Sequence, residues 1–222
     1  MPTPSPPAPP PGRPHARRAT PATRATPADG AAADLREAIL AATARLLADR
    51  SFASLAVSDI LTAAGVSRGT FYFYFDSKHA VLGELVRRAV AEGHTAAAPW
   101  LAAPADPVAA LRVGTAAGAR LWQASAPVLR AIVENWRTDP RLTALWLEQM
   151  QSFTDAAVAQ ITADPRAQET LAGHDKTAIA SALTWLSERL YYLAATSVPP
   201  FDDQDTLIDT LTCIWAAVLY RA

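Results

Sequence analysis

The stretch that decides the fold runs from Ser58 to Lys78: S-D-I-L-T-A-A-G-V-S-R-G-T-F-Y-F-Y-F-D-S-K. A short helix over Val57–Ala64 stops at Gly65, which can take the left-handed conformation a tight turn requires. Val66 is placed to tuck under that turn. Ser67 can accept a backbone N–H as the N-cap of the next helix, which runs through Phe75. Phe71 and Phe75, four apart, share one face and can anchor that helix on a core. Thr70, Tyr72, Phe73 and Tyr74 then fall on or beside the opposite face. Aromatics this dense can simply be core, but five consecutive rings on one helix cannot all point inward. Exposed Tyr and Phe offer phosphate hydrogen bonds and contacts to thymine methyl groups. The pattern is that of a helix-turn-helix.

Working outward, Leu35, Ile39, Ala42 and Leu46 form a helical stripe after Asp34, an N-cap candidate. Asp76-Ser77 separates the aromatic helix from a longer one, expected from about Lys78 to Ala91. Beyond residue 95, prolines punctuate further helices. In the last two, apolar residues step by three and four: Ile179, Leu183, Leu186, Leu190, Leu193, then Leu207/Ile208, Leu211, Ile214/Trp215 and Val218/Leu219. The chain therefore reads as all-α. Its expected units are a Pro/Ala/Arg-rich tail over 1–30, a three-helix DNA-binding unit over 31–80 and a helical unit over 81–222. The tail holds ten of the eighteen prolines and reads as disordered. Its arginines (Arg13, Arg17, Arg18, Arg24) leave open a basic arm along DNA.

Composition narrows the function. Residues 1–95 carry 11 basic and 8 acidic side chains, whereas residues 96–222 carry 9 and 13. An N-terminal part that can approach phosphates, joined to an acidic remainder, suits a modular DNA binder. The single cysteine, Cys213, fits a reducing cytoplasm. No apolar run approaches the roughly 20 residues that span a bilayer. The histidines (His15, His79, His94, His174) show no metal spacing, and no nucleophile elbow, dinucleotide fingerprint or phosphate loop is found. His79 reads as a solvated or phosphate-facing side chain, and His174-Asp175 as a helix start. Neither catalysis, nor a cofactor, nor a metal is expected. All six tryptophans lie after residue 95, which suits an apolar pocket in the second unit, although any one of them could be ordinary core. A helical ligand carrier without DNA binding would explain that unit but not an exposed aromatic helix.

The run from Gly65 to Lys78 resembles the recognition-helix signature of the TetR family of repressors, and the likeness continues through Leu35–Phe52 and Ala80–Arg88. In the second half, L-W-x-x-x-M-Q around Trp146–Gln151, S-E-R-L-Y-Y near Leu190 and D-T-L-x-x-I-W near Trp215 resemble one member of that family. The resemblance implies a homodimer built on the last two helices, with recognition helices in successive major grooves of a palindromic operator. By position, Ser67, Arg68, Gly69, Thr70, Tyr72, Phe73, Tyr74 and Lys78 would face DNA, Lys78 reaching a phosphate. Two departures stand out. Ala56 replaces the usual capping Ser or Thr, leaving Ser58 as the candidate phosphate contact, and Leu61 replaces a small Ala. The resemblance also implies a small hydrophobic effector held by Leu111, Gly118, Trp122, Trp146, Met150, Phe153, Thr184, Ser187, Tyr192 and Trp215.

Overall fold

The computed structural model describes Met1, residues 27–102 and residues 104–220. The calls on the tail before residue 27 lie outside them. In chain order come α1 (Pro27–Asp49), a 3-10 turn (Phe52–Ser54), α2 (Val57–Ala64), α3 (Arg68–Tyr74), α4 (Lys78–Leu101) and α5 (Pro107–Ala124). Then follow α6 (Ala126–Asn135), a 3-10 turn (Trp136–Thr138), α7 (Pro140–Ala163), α8 (Pro165–Thr170), α9 (Lys176–Ala195) and α10 (Gln204–Leu219). No strand occurs among the described residues.

Two expected boundaries move. The first helix begins at Pro27, so Asp34 lies within it and is not its cap, and residues 27–30 belong to the helix rather than to the tail. The helix after Ser77 runs on to Leu101 instead of ending near Ala91, and carries Pro99 in its last turn. Apolar side chains continue along its buried side as Val86, Ala89, Val90 and Trp100, so packing extends the helix past the polar stretch that suggested an end.

Aspartate starts most of the later helices. Asp106, Asp139 and Asp164 each precede a proline, accept backbone N–H bonds and serve as N-caps, with the proline in the first turn. Asp175 and Asp203 cap α9 and α10 in the same way. A proline there gives up no helical hydrogen bond, and such a cap stabilises a helix by about 1 kcal/mol.

The N-terminal core joins α1, α2, α3 and the start of α4 through Ile39, Leu40, Ile60, Phe71, Phe75 and Val81. Leu61 packs half-buried against it. A second cluster binds α1 and the first 3-10 turn to α4, α6 and α7, through residues such as Leu47, Phe52, Leu82, Val86, Ile132 and Trp146. A third gathers Trp100, Leu111, Ile161, Leu183, Trp215 and Leu219. The helix α4 contributes to all three, so it ties the aromatic helix α3 to the C-terminal bundle.

Polar contacts fix the same junction. Arg88 makes two hydrogen bonds to Glu37 on α1, at 2.9 and 2.8 Å. Glu84, one turn earlier on α4, pairs with Arg36 of α1 at 3.0 Å and with Arg87 and Arg88. Burial raises the Glu84 pKa, but the three arginines outweigh it and hold the carboxyl below the usual glutamate range.

Candidate functional site

The turn before α3 forms as its residue types require. Gly65 sits at φ 66°, ψ 31°, its N–H bonded back to Leu61 and Thr62. The Ser67 hydroxyl accepts the Thr70 N–H at 3.0 Å and lies 2.8 Å from the Thr70 hydroxyl. Phe71 is fully buried and Phe75 nearly so, whereas Tyr72 is 47% and Phe73 79% exposed. Phe73 thus stands largely in solvent, outside the N-terminal core. Ser67, Arg68 and Gly69 are also exposed, and Thr70 is half-buried. Together they leave an open face of aromatic, hydroxyl and guanidinium groups, the donor and apolar chemistry that DNA edges and phosphates accept. Tyr74 departs from the expectation: it is half-buried, packed on the N-terminal core, with Phe73 edge-on at 4.9 Å.

Lys78 requires a clear correction. Its ammonium turns inward, donating to the carbonyls of Leu55 at 2.7 Å, Phe52 at 2.9 Å and Ala53 at 3.3 Å, over the Phe52 ring. An ammonium has three N–H donors, and all three are occupied. Partial burial lowers its pKa from the ordinary lysine value. The turn at Phe52–Ser54 and its C-cap Leu55 direct carbonyls toward Lys78, which bonds Phe52, Ala53 and Leu55 although Phe52 also accepts the Leu55 N–H at 3.2 Å. The place of Lys78 in the structure is that of a brace rather than a phosphate contact. His79 likewise faces the protein, edge-on to Phe52 and 4.0 Å from Asp139.

At the start of α2, Ala56 is the N-cap and has no side-chain acceptor. Asp59 compensates by accepting the Ala56 N–H at 2.9 Å and pairing with Arg50 at 3.0 Å. The Ala56 amide first, and Arg50 after it, hold the Asp59 carboxyl below its usual range. Ser58 is exposed beside this cap, its hydroxyl not used for capping.

The second site is a cavity of about 190 Å³ enclosed by α4, α5, α6, α7, α9 and α10. Leu111, Gly118, Trp122, Trp146, Met150, Phe153, Thr184, Ser187 and Trp215 all line it. Tyr192 does not. Its hydroxyl donates to Glu134 at 3.2 Å, and the Arg189 guanidinium covers its ring at 5.1 Å. Tyr191 takes the expected place in the wall. The reason is helical period: Thr184, Ser187, Glu188 and Tyr191 share one stripe, whereas Tyr192 is turned about 80° from Thr184.

Glycine sets the shape at two points. A Cβ on Gly118 would stand 2.5 Å from the Tyr191 hydroxyl, and one on Gly93 would stand 3.0 Å from Phe153 Cζ. The Tyr191 ring fills the space that Gly118 leaves, stacks on Trp122 at 6.1 Å and donates its hydroxyl to the Thr115 carbonyl at 3.0 Å. Burial pushes the Tyr191 phenol pKa up.

Sequence reasoning missed the α4 wall (Ala89, Val90, Gly93, Ala96, Ala97, Trp100), as well as Thr115, Glu188 and Tyr191. Extending the α4 stripe past Ala91 would have found the first group, and following the α9 stripe from Thr184 would have found Glu188 and Tyr191. Thr115 lies one turn from both Leu111 and Gly118 on α5. The polar groups differ in availability. The Ser187 hydroxyl is occupied, accepting from Trp215 Nε1 at 3.0 Å and donating to the Leu183 carbonyl at 2.9 Å. Thr115 is paired with Thr212 at 3.0 Å. The Trp146 indole N–H is buried without a partner.

Comparison with known proteins matches both halves of the chain to described families. Residues 39–85 match the family described as bacterial regulatory proteins, tetR family. Residues 111–221 match the C-terminal domain of the transcriptional regulator EthR. The HTH-type transcriptional regulator EthR of Mycolicibacterium smegmatis is 34% identical over 194 residues, covering 84% of this chain and 87% of the relative. Its Mycobacterium tuberculosis counterpart is 33% identical over 192 residues, covering 84% and 88%. Among solved structures, Pseudomonas aeruginosa NalD, the secondary repressor of the MexAB-OprM multidrug efflux pump, superposes with a TM-score of 0.71 at 18% identity, covering 86% of this chain and 98% of NalD. Salmonella enterica GusR gives 0.67 at 21% identity, covering 83% and 95%. At these identities the two structures speak to the fold alone. With a helix-turn-helix that matches the family at its N-terminus and an EthR-type domain behind it, the chain belongs to the TetR family of DNA-binding transcriptional regulators.

Proposed function

We propose that this regulator represses transcription by binding a palindromic operator as a homodimer, and that a small, largely apolar ligand in the cavity releases it. One observation carries the reading. The helix α4 starts three residues after Phe75, contributes Val81 to the core beneath the recognition helix, and reaches the cavity with Val90, Gly93, Ala96, Ala97 and Trp100. Its 24 residues make a rod of about 36 Å. A ligand that fills the cavity bears on the same rod that carries the DNA-binding unit.

The open face of α3, with Arg68, Gly69, Tyr72 and Phe73 and with Ser67 and Thr70 at its start, supplies the DNA contacts, and Ser58 adds one at the start of α2. Residues 31–80 form the DNA-binding unit and 81–222 the regulatory one, with α4 rooted in both. Dimerisation uses α9 and α10, where Leu186, Leu193, Ile214 and Val218 remain only half-buried in the monomer. The protein works where operator DNA is found, in the cytoplasm; no helix among the described residues is long and apolar enough to cross a membrane.

The test combines two titrations. Full-length protein is titrated with the DNA upstream of its own gene, at fixed salt, in the presence and absence of hydrophobic ketones, esters and aromatics. Tryptophan fluorescence follows the cavity in parallel. A ligand that occupies the cavity must weaken DNA binding, and DNA must weaken ligand binding by the same factor. A ligand that quenches fluorescence yet leaves operator affinity unchanged refutes the switch, because equal affinity for both states shifts nothing. Light scattering that returns a monomer at micromolar concentration refutes palindromic recognition.

A further inference from the structure

One wall residue is out of character with an apolar cavity. Glu188 is the one charged side chain among the described residues of the wall, and its side chain is 5% exposed. It stands on the α9 stripe beside Ser187, one turn beyond Thr184. Its nearest cation, Arg189, keeps Nε 4.0 Å from Glu188 Oε2, beyond hydrogen-bond reach. Arg189 is itself 53% exposed and lies against Tyr192, on the other side of the helix wall. The neighbouring Ser187 hydroxyl already donates its proton to Leu183. Glu188 is thus a buried carboxyl in the cavity wall with no hydrogen-bond donor among the described residues. Burial raises its pKa above the ordinary glutamate value, against the weaker pull of Arg189.

The surroundings indicate what would satisfy it. Trp122, Trp146, Tyr191 and Trp215 turn rings to the same space, and Trp215 is tied next to Glu188 through its bond to Ser187. An indole or phenol face attracts a cation, most strongly where water is excluded. No Lys, Arg or His lines the cavity among the described residues, so an anion would face the carboxyl with only neutral donors, such as the Trp146 indole N–H, to set against it. A neutral apolar molecule would leave the carboxyl without a partner, a cost that falls on binding. A molecule with one positive charge and an apolar body relieves that cost and uses the rings as well.

We propose that the effector is a hydrophobic monocation, an alkyl- or arylammonium compound whose charge lies against Glu188 and whose body packs on the tryptophan rings. This rests on reading the cavity as the effector site, and it specifies the chemistry of the occupant.

The experiment uses a matched pair of probes, benzyltrimethylammonium and neopentylbenzene, which have the same shape and differ in one charge. Both are titrated into the full-length protein, with tryptophan fluorescence and calorimetry as readouts. The expected result is that the cation binds the wild type at least about tenfold more tightly. Glu188→Gln should reduce that preference to within about twofold, by weakening the cation and by relieving the cost that the stranded carboxyl places on neopentylbenzene. If neopentylbenzene binds the wild type as tightly as the cation, or if the preference survives in Glu188→Gln, the assignment of Glu188 is overturned while the cavity remains a ligand site. If neither probe binds, the reading of the cavity as a ligand site falls with it. The wild-type comparison stands whether or not the variant folds.

Discussion

Replacing Gly118 by alanine tests how the cavity is built. On an exposed helix surface this change would stabilise the protein by about 1 kcal/mol, through helix propensity and a stiffer unfolded chain. Here the new Cβ would stand 2.5 Å from the Tyr191 hydroxyl and 2.9 Å from its Cζ, so the ring has to move. Moving it breaks the 3.0 Å hydrogen bond to the Thr115 carbonyl and disturbs the stack on Trp122. A buried polar group left unpaired costs about 1–3 kcal/mol, and overpacking a core a further 1–3 kcal/mol. These outweigh the propensity gain, so Gly118→Ala should lose about 1–5 kcal/mol, a fall in Tm of roughly 2–4 °C per kcal/mol. Urea unfolding followed by tryptophan fluorescence measures it. Tyr191→Phe removes the hydroxyl that collides, so in that background Gly118→Ala should cost about 1 kcal/mol less, a coupling a double-mutant cycle resolves. A Gly118→Ala variant that gains the full 1 kcal/mol, with no coupling to position 191, would show that Tyr191 does not rest on Gly118.

Three other outcomes are expected. Tyr72→Ala should abolish or strongly weaken operator binding in a gel shift while circular dichroism and Tm stay at wild-type values, because the side chain is 47% exposed and the fold's anchors are Phe71 and Phe75. Lys78→Met should destabilise by about 2 kcal/mol through loss of charge-assisted hydrogen bonds. Under conditions where it is folded, it should keep the wild-type salt dependence of DNA binding; a slope reduced by about one would instead mark a phosphate contact. Glu84→Gln should lower stability at neutral pH. Because the folded-state pKa of Glu84 lies below the ordinary 4.5, the wild type's advantage is complete above that value and is lost as pH falls through the depressed one. Urea midpoints measured from pH 7 down to about pH 3 should therefore converge, and parallel curves would refute the account.

Local chemistry made the helix-turn-helix legible without coordinates. Gly65, Ser67, Phe71 and Phe75 act within ten or so residues of one another, through backbone conformation, a cap and helical period, and each behaves as its residue type demands. The five aspartates that start α5, α7, α8, α9 and α10 belong to the same kind of information. Resemblance to the family added part of the cavity wall, the residues on α5, α7, α9 and α10 from Leu111 to Trp215, but none on α4.

What the chain could not disclose locally was where a long side chain ends when several partners compete for it. Lys78 sits at a helix start that favours either a phosphate or a neighbour's carbonyls. The choice fell to a 3-10 turn and its C-cap more than twenty residues earlier, three of whose carbonyls the tertiary fold brings within 3.3 Å of the ammonium. Tyr191 and Tyr192 are chemically alike and adjacent. The helical period of α9 separates their directions, and the packing of α9 against α5, with Gly118 making room, gives one ring its place inside while the other turns toward Glu134. The reach of α4 to Leu101 and the burial of Glu188 have the same origin. Short-range propensities specified the elements and their ends, whereas the burial of a charge and the shape of a cavity depend on surfaces that meet only after the helices pack.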